Sequence, residues 1–110
     1  MADDYKIHFV TPLDEIEDPY NDNIDVEVAV HGVRYDATFF TLNSIQTIFE
    51  RNCVSGECAN GTYFWACDMI LVTCITEDVI RTTIEGLLLD GELSKAMAGP
   101  FPVELEEGWR

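Results

Sequence analysis

The residues of this chain that could do chemistry are two histidines, four cysteines and an unusually dense run of carboxylates. The cysteines are spaced Cys53-x4-Cys58 and Cys67-x6-Cys74. Structural zinc sites pair ligands two to four residues apart on a tight knuckle, and this spacing lacks that form with a matching second half. No secretory leader is legible at the N-terminus, so a reducing compartment is expected, with the cysteines as free, small, largely apolar residues. His8 falls on an expected strand and His31 in an expected turn, and neither has a serine or cysteine partner at nucleophile spacing. Gly56 and Gly61 precede an expected strand rather than a helix N-terminus, so no phosphate-cradling loop is expected.

The carboxylate run is Asp14, Glu15, Glu17, Asp18, Asp22 and Asp25. These are hard oxygen donors, but they lack the alternating Asp/Asn pattern, central glycine and closing glutamate of a calcium loop. No metal or other cofactor is expected. A second group is Tyr63, Trp65 and Asp68, inside the apolar stretch Tyr63-Phe-Trp-Ala-Cys-Asp-Met-Ile-Leu-Val72. An aspartate there either sits in a tight turn bonded to nearby amides or is buried beside the aromatics, where it would form an anionic, π-rich pocket for a cation.

Composition ranks these options. The chain has 110 residues, is 47% hydrophobic and carries a formal charge of −15. Six Phe, four Tyr and two Trp exclude a disordered acidic tail for most of its length. Residues 1–27 alone hold nine acids against Lys6, a net of −8, more than half of the total. Such a surface repels nucleic-acid phosphates and attracts cationic proteins. The expected function is therefore a non-catalytic acidic binding protein, such as an inhibitor, immunity or regulatory protein, engaging a basic protein through Asp14, Glu15, Glu17, Asp18 and Asp22. The alternative is a binding domain for a small cationic ligand at Tyr63, Trp65 and Asp68. An enzyme has only the abundance of acids behind it, and no spacing places two carboxylates in contrasting environments. The longest apolar run is too short to span a bilayer, and the expected location is cytoplasmic.

The elements that must position these groups follow from periodicity. Tyr5 to Val10 reads as a strand, and residues 11–23, with two prolines, as an acidic loop. Ile24, Val26, Val28 and Val30 alternate with Asp25, Glu27 and Ala29, and after His31-Gly32 the alternation resumes with Val33, Tyr35, Ala37 and Phe39; this is a β-hairpin. A helix is expected from Leu42 to about Asn52, with Leu42, Ile45, Ile48 and Phe49 as its apolar stripe. Residues 55–61 read as loop, and Thr62 to Cys74 as one long strand or two. A second helix starts after the N-cap Thr76 and ends at Asp90-Gly91, with a short helical turn from Glu92 to Met97.

The expected class is α+β: an antiparallel sheet of four to five strands with two helices packed on one face, in the order β-β-β-α-β-β-α. A single domain is expected over residues 1–97, with residues 98–110 as a tail that docks through Phe101, Val103 and Trp109. Both alternating faces of 62–74 are apolar. The second face is expected to be covered by the loop and tail or by another copy of the chain, as a homodimer.

Overall fold

The computed structural model describes residues 4–103 and 109–110. The molecule is α+β, with two long helices and a sheet that is antiparallel, as expected, in all but one of its strand pairs. The first strand, β1 (Tyr5–Phe9), pairs antiparallel with β2 (Asn23–Val30), which pairs antiparallel with β3 (Val33–Phe40). The β2–β3 register runs unbroken from Asn23↔Phe40 to Val30↔Val33. His31 and Gly32 both have positive φ, at 53° and 76°. A two-residue turn of that hand matches strand twist, which is why a glycine sits there.

Two elements share the far edge of β3. The C-terminal strand β5 (Ala98–Pro102) pairs antiparallel with its first half, and β4 (Met69–Leu71) pairs parallel with Thr38–Phe40. This arrangement corrects the expected strand order. Thr62 to Cys67 forms no strand, because β5 occupies the rest of the edge and leaves β3 only three residues to offer β4. The apolar alternation there is real but lacks a partner, and strand formation requires one. The two-faced strand that pointed to a second copy is thus reduced to Met69–Leu71. The expected tail begins as β5; Phe101 lies under the Arg34 guanidinium and Trp109 packs on His8 at 5.6 Å between ring centroids. Arg110 exchanges two 2.7 Å backbone hydrogen bonds with Ile7 on the outer edge of β1. The tail acids Glu104, Glu106 and Glu107 lie outside the described residues.

Alternation builds the core. Ile7 and Phe9 of β1, Ile24, Val26, Val28 and Val30 of β2, and Ala37 and Phe39 of β3 point to one side. Helix α3 (Glu77–Leu89) closes over them with Ile80 and Ile84, and Leu93 of α4 (Leu93–Ala96) joins with Met97. The α3 N-cap is Thr76, whose hydroxyl accepts the Val79 N–H, and Glu77 and Asp78 lie in the first turn, where the helix dipole favours acids.

Helix α1 (Leu42–Ser55) behaves differently, and contributes no residue to that cluster. Thr41 and Ser44 form a buried capping box in which the Thr41 hydroxyl accepts the Ser44 N–H and the Ser44 hydroxyl accepts the Thr41 N–H. The box orients the helix so that the line Ser44, Ile48, Asn52, at four-residue spacing, faces inward. Ile45, Ile48 and Phe49 are half-buried, whereas Leu42, expected in the apolar stripe, is 71% exposed. Gly56 ends α1 with φ 88°, and residues expected as loop wind into a short turn, α2 (Glu57–Gly61). Cys58, Ala59 and Asn60 all take left-handed backbone angles there, at a cost of roughly 1 kcal/mol each. Gly61 anchors the turn: a Cβ at that position would lie 2.6 Å from the Phe49 carbonyl oxygen and 2.9 Å from the Cys53 nitrogen.

Candidate functional site

The acidic loop between β1 and β2 is built as a fixed structure. Leu13, in a short 3-10 turn, and Ile16 pack against the core. The Pro19 carbonyl accepts the Ile75 N–H at 2.7 Å, and the Asp18 carboxylate accepts the Tyr20 N–H at 2.9 Å. Its last residues are stapled to α1. The Thr47 hydroxyl donates to the Asn21 side-chain oxygen at 3.2 Å, and the Asp22 carbonyl accepts the Thr41 N–H at 3.3 Å. Polar and apolar anchors therefore alternate with acids. Asp14, Glu15, Glu17 and Asp18 are exposed and Asp22 is half-buried, and among the described residues none of the five has an ion-pair partner.

The basic residues explain this lack of partners. Arg34 lies 2.9 Å from Asp36 and 3.5 Å from Glu27, Arg81 lies 2.9 Å from Glu77, and Arg110 lies 3.1 Å from Glu77. His8 Nδ1 sits 2.6 Å from the same Glu27. Half of the six Lys and Arg residues thus lie against β2, β3 and α3. Being partly exposed, each such pair adds at most about 1 kcal/mol. Beside Arg81, whose guanidinium lies over its ring, burial and the hydrogen bond it donates to Glu85 hold the Tyr5 phenol above its usual range.

Of the depressions on the surface, two bear on the candidate residues. The larger, a cleft of about 700 Å³, runs between the end of the sheet and α1. Phe40, Ile48, Phe64 and Trp65 give it apolar walls, and Asn23, Arg51, Asn52 and Glu57 add polar groups. Phe40 points away from the core cluster and meets Phe64 edge-on, with centroids 5.6 Å apart. The smaller, about 400 Å³, lies on the open face of the sheet and gathers Asp25, Glu27, Asp36 and Asp68. Asp25 accepts from the Thr38 hydroxyl there at 2.7 Å.

The structure distributes the aromatic and acidic trio of the alternative reading. Trp65 lines the cleft, Asp68 lines the sheet-face depression, and Tyr63 is exposed. Asp68 sits in a turn with φ 52°, and its carbonyl accepts the Thr38 N–H, which makes it the lead-in to β4. Sequence reasoning missed both depressions. The sheet-face carboxylates were accessible to it, since the hairpin register sets Glu27 opposite Asp36 and Asp25 opposite Thr38. The cleft was not, because its walls come from four separate stretches of chain.

All four cysteines carry free thiols, with Cys53 and Cys67 exposed. Among the described residues no group of three or more His, Cys, Asp or Glu side chains could hold a metal ion, and no helix is long and apolar enough to cross a membrane. Comparison of the chain with protein-family models, curated proteins and solved structures finds no match.

Proposed function

We propose that the protein is a non-catalytic binding protein whose acidic loop, residues 11–23, engages a basic protein partner in an inhibitory, immunity or regulatory role. The observation that carries this reading is the contrast within the loop itself. Its backbone is fixed by Leu13, Ile16, Pro19, Asn21 and Asp22, while Asp14, Glu15, Glu17 and Asp18 are exposed with no ion-pair partner among the described residues. Charge kept only for solubility gains nothing from a fixed loop. Charge used for recognition does, because an ordered surface loses less entropy on binding and presents its field in a defined geometry. Such a surface also raises the rate at which a cationic partner is captured.

The test is affinity capture with the wild-type protein and a variant carrying Asp14→Asn, Glu15→Gln, Glu17→Gln and Asp18→Asn. A basic protein retained by the first bait and lost from the second, with the circular dichroism of the two baits superimposable, is the expected result. Equal recovery on both baits removes the loop from any role in binding.

A further inference from the structure

The cleft between the end of the sheet and α1 holds a polar group that the fold does not use. Asn52 is only 6% exposed, yet among the described residues its side-chain amide makes no hydrogen bond. Its backbone carbonyl accepts the Gly56 N–H and so closes the end of α1, but the amide takes no part in that contact. The amide atoms are not sealed from solvent, because among the described residues no fully buried side-chain nitrogen or oxygen lacks a partner. They open on the cleft that Asn52 lines. A carboxamide offers two donor hydrogens and an acceptor oxygen, and a protein that orders one without a partner forgoes about 1 kcal/mol for each bond not made.

The rest of the lining narrows what that amide can meet. Asn23, the first residue of β2, brings a second carboxamide, and only its backbone N–H is bonded, to Asp22. Phe64 and Trp65 bring aromatic rings, and Trp65 at 69% exposed leaves ring surface uncovered. Arg51 and Glu57 are the charged residues of the lining, one of each sign, so the cleft is neutral in a molecule of −15. An anion is repelled by the molecule as a whole, and a cation is drawn to its acidic surfaces elsewhere. An uncharged ligand suits this site best. Asparagine pairs with an edge that sets a donor beside an acceptor, as in adenine, and aromatic side chains stack on the flat face of any base. The volume, about 700 Å³, is within the range of small-molecule sites.

We propose that the cleft binds an uncharged nucleobase compound, a free base or nucleoside, with Trp65 stacked on the ring and Asn52 paired with its donor–acceptor edge. The site is independent of the acidic loop and of the partner proposed for it.

The test is a titration of the isotope-labelled full-length protein with adenosine, cytidine and uridine, followed through the NMR signals of the Asn52 side-chain amide and the Trp65 indole. At least one nucleoside is expected to bind with Kd below about 1 mM and to move both signals. The matching monophosphate should bind more weakly, because its charge has the same sign as the molecule's. Trp65→Ala, at an exposed position, should weaken binding about tenfold, the effect of one lost stack. Asn52→Ala should weaken it by a similar factor while leaving the melting temperature unchanged or raised, since alanine favours the helix and no hydrogen bond is lost. An asparagine kept for the fold would instead lower the melting temperature when removed. Four results each overturn the proposal: binding of no nucleoside, binding untouched by both variants, a monophosphate that binds as tightly as its nucleoside, or a lowered melting temperature for Asn52→Ala. Each of them leaves the reading of the acidic loop standing.

Discussion

The sheet with α3 and the side of the molecule formed by α1, α2 and β4 are built on opposite terms. In the first, Ile7, Val28, Phe39, Ile80 and Ile84 are fully buried, and Glu27, Asp36 and Glu77 have arginines beside them. In the second, the fully inward positions of the long helix are Ser44 and Asn52, while Leu42, Val54, Trp65 and Leu71 face solvent. Charge follows the same division. From Leu42 to Cys74 the chain has only Glu50, Glu57 and Asp68 against Arg51, a net of −2 in a molecule of −15. The first side therefore holds the buried core and most of the charge, and the second packs through few fully buried apolar positions, although exposed large hydrophobics occur on both, Leu89 of α3 at 73% among them. The acidic loop is fastened to both sides, through Leu13 and Ile16 to the core and through Asn21 and Asp22 to α1.

Substitutions can break this contrast if it is wrong. The largest effect should come from Phe39→Ala, which empties a fully buried ring position and should lower unfolding free energy by about 3–5 kcal/mol in urea denaturation. Val54→Ala, at a side chain 91% exposed, should change it by less than about 0.5 kcal/mol. Similar losses for the two would mean that α1 is packed as tightly as the core. Thr41→Ala lies between them. It removes the buried capping box and should cost about 1–2 kcal/mol, with faster amide exchange in α1 than in β2. Uniform acceleration across both would show that α1 has no separate stability.

The smallest effect is a pH dependence confined to the core side. The Tyr5 phenol is raised by burial and by its bond to Glu85, so the folded state holds this proton more tightly than the unfolded chain. The stability linked to it is whole below about pH 10 and is lost as pH rises through the folded-state value. Tyr5→Phe should therefore flatten the alkaline limb of a stability profile. An unchanged limb would assign it to other groups.

The legibility of the sequence follows the same division. Where residues alternate against a partner close in the chain, as in the β2–β3 hairpin, or repeat at helical spacing behind a threonine cap, as in α3, local chemistry and tertiary structure agree. Thr62 to Cys67 alternates just as well, yet it has no strand edge to join, because β5 arrives from the far end of the chain and takes it. For α1, the apolar stripe is visible but its facing is decided by the buried pair Thr41 and Ser44. The run of acids at 14–22 is plain in the sequence. That it is held rigid is not, since its fastenings reach Thr41, Thr47 and Ile75.

The central claim is that the loop carboxylates act as a placed surface rather than as net charge. The direct measurement is a salt series of calorimetric titrations with the basic peptide Lys-Arg-Lys-Ala-Lys-Arg-Lys against three proteins. These are the wild type, the loop variant, and a charge-matched variant carrying Asp4→Asn, Asp78→Asn, Asp90→Asn and Glu92→Gln, all at exposed positions outside the loop. The account predicts that only the loop variant loses affinity and that its salt dependence falls with it. Equal losses in both neutralised proteins would contradict it and reduce the acidity to bulk electrostatics.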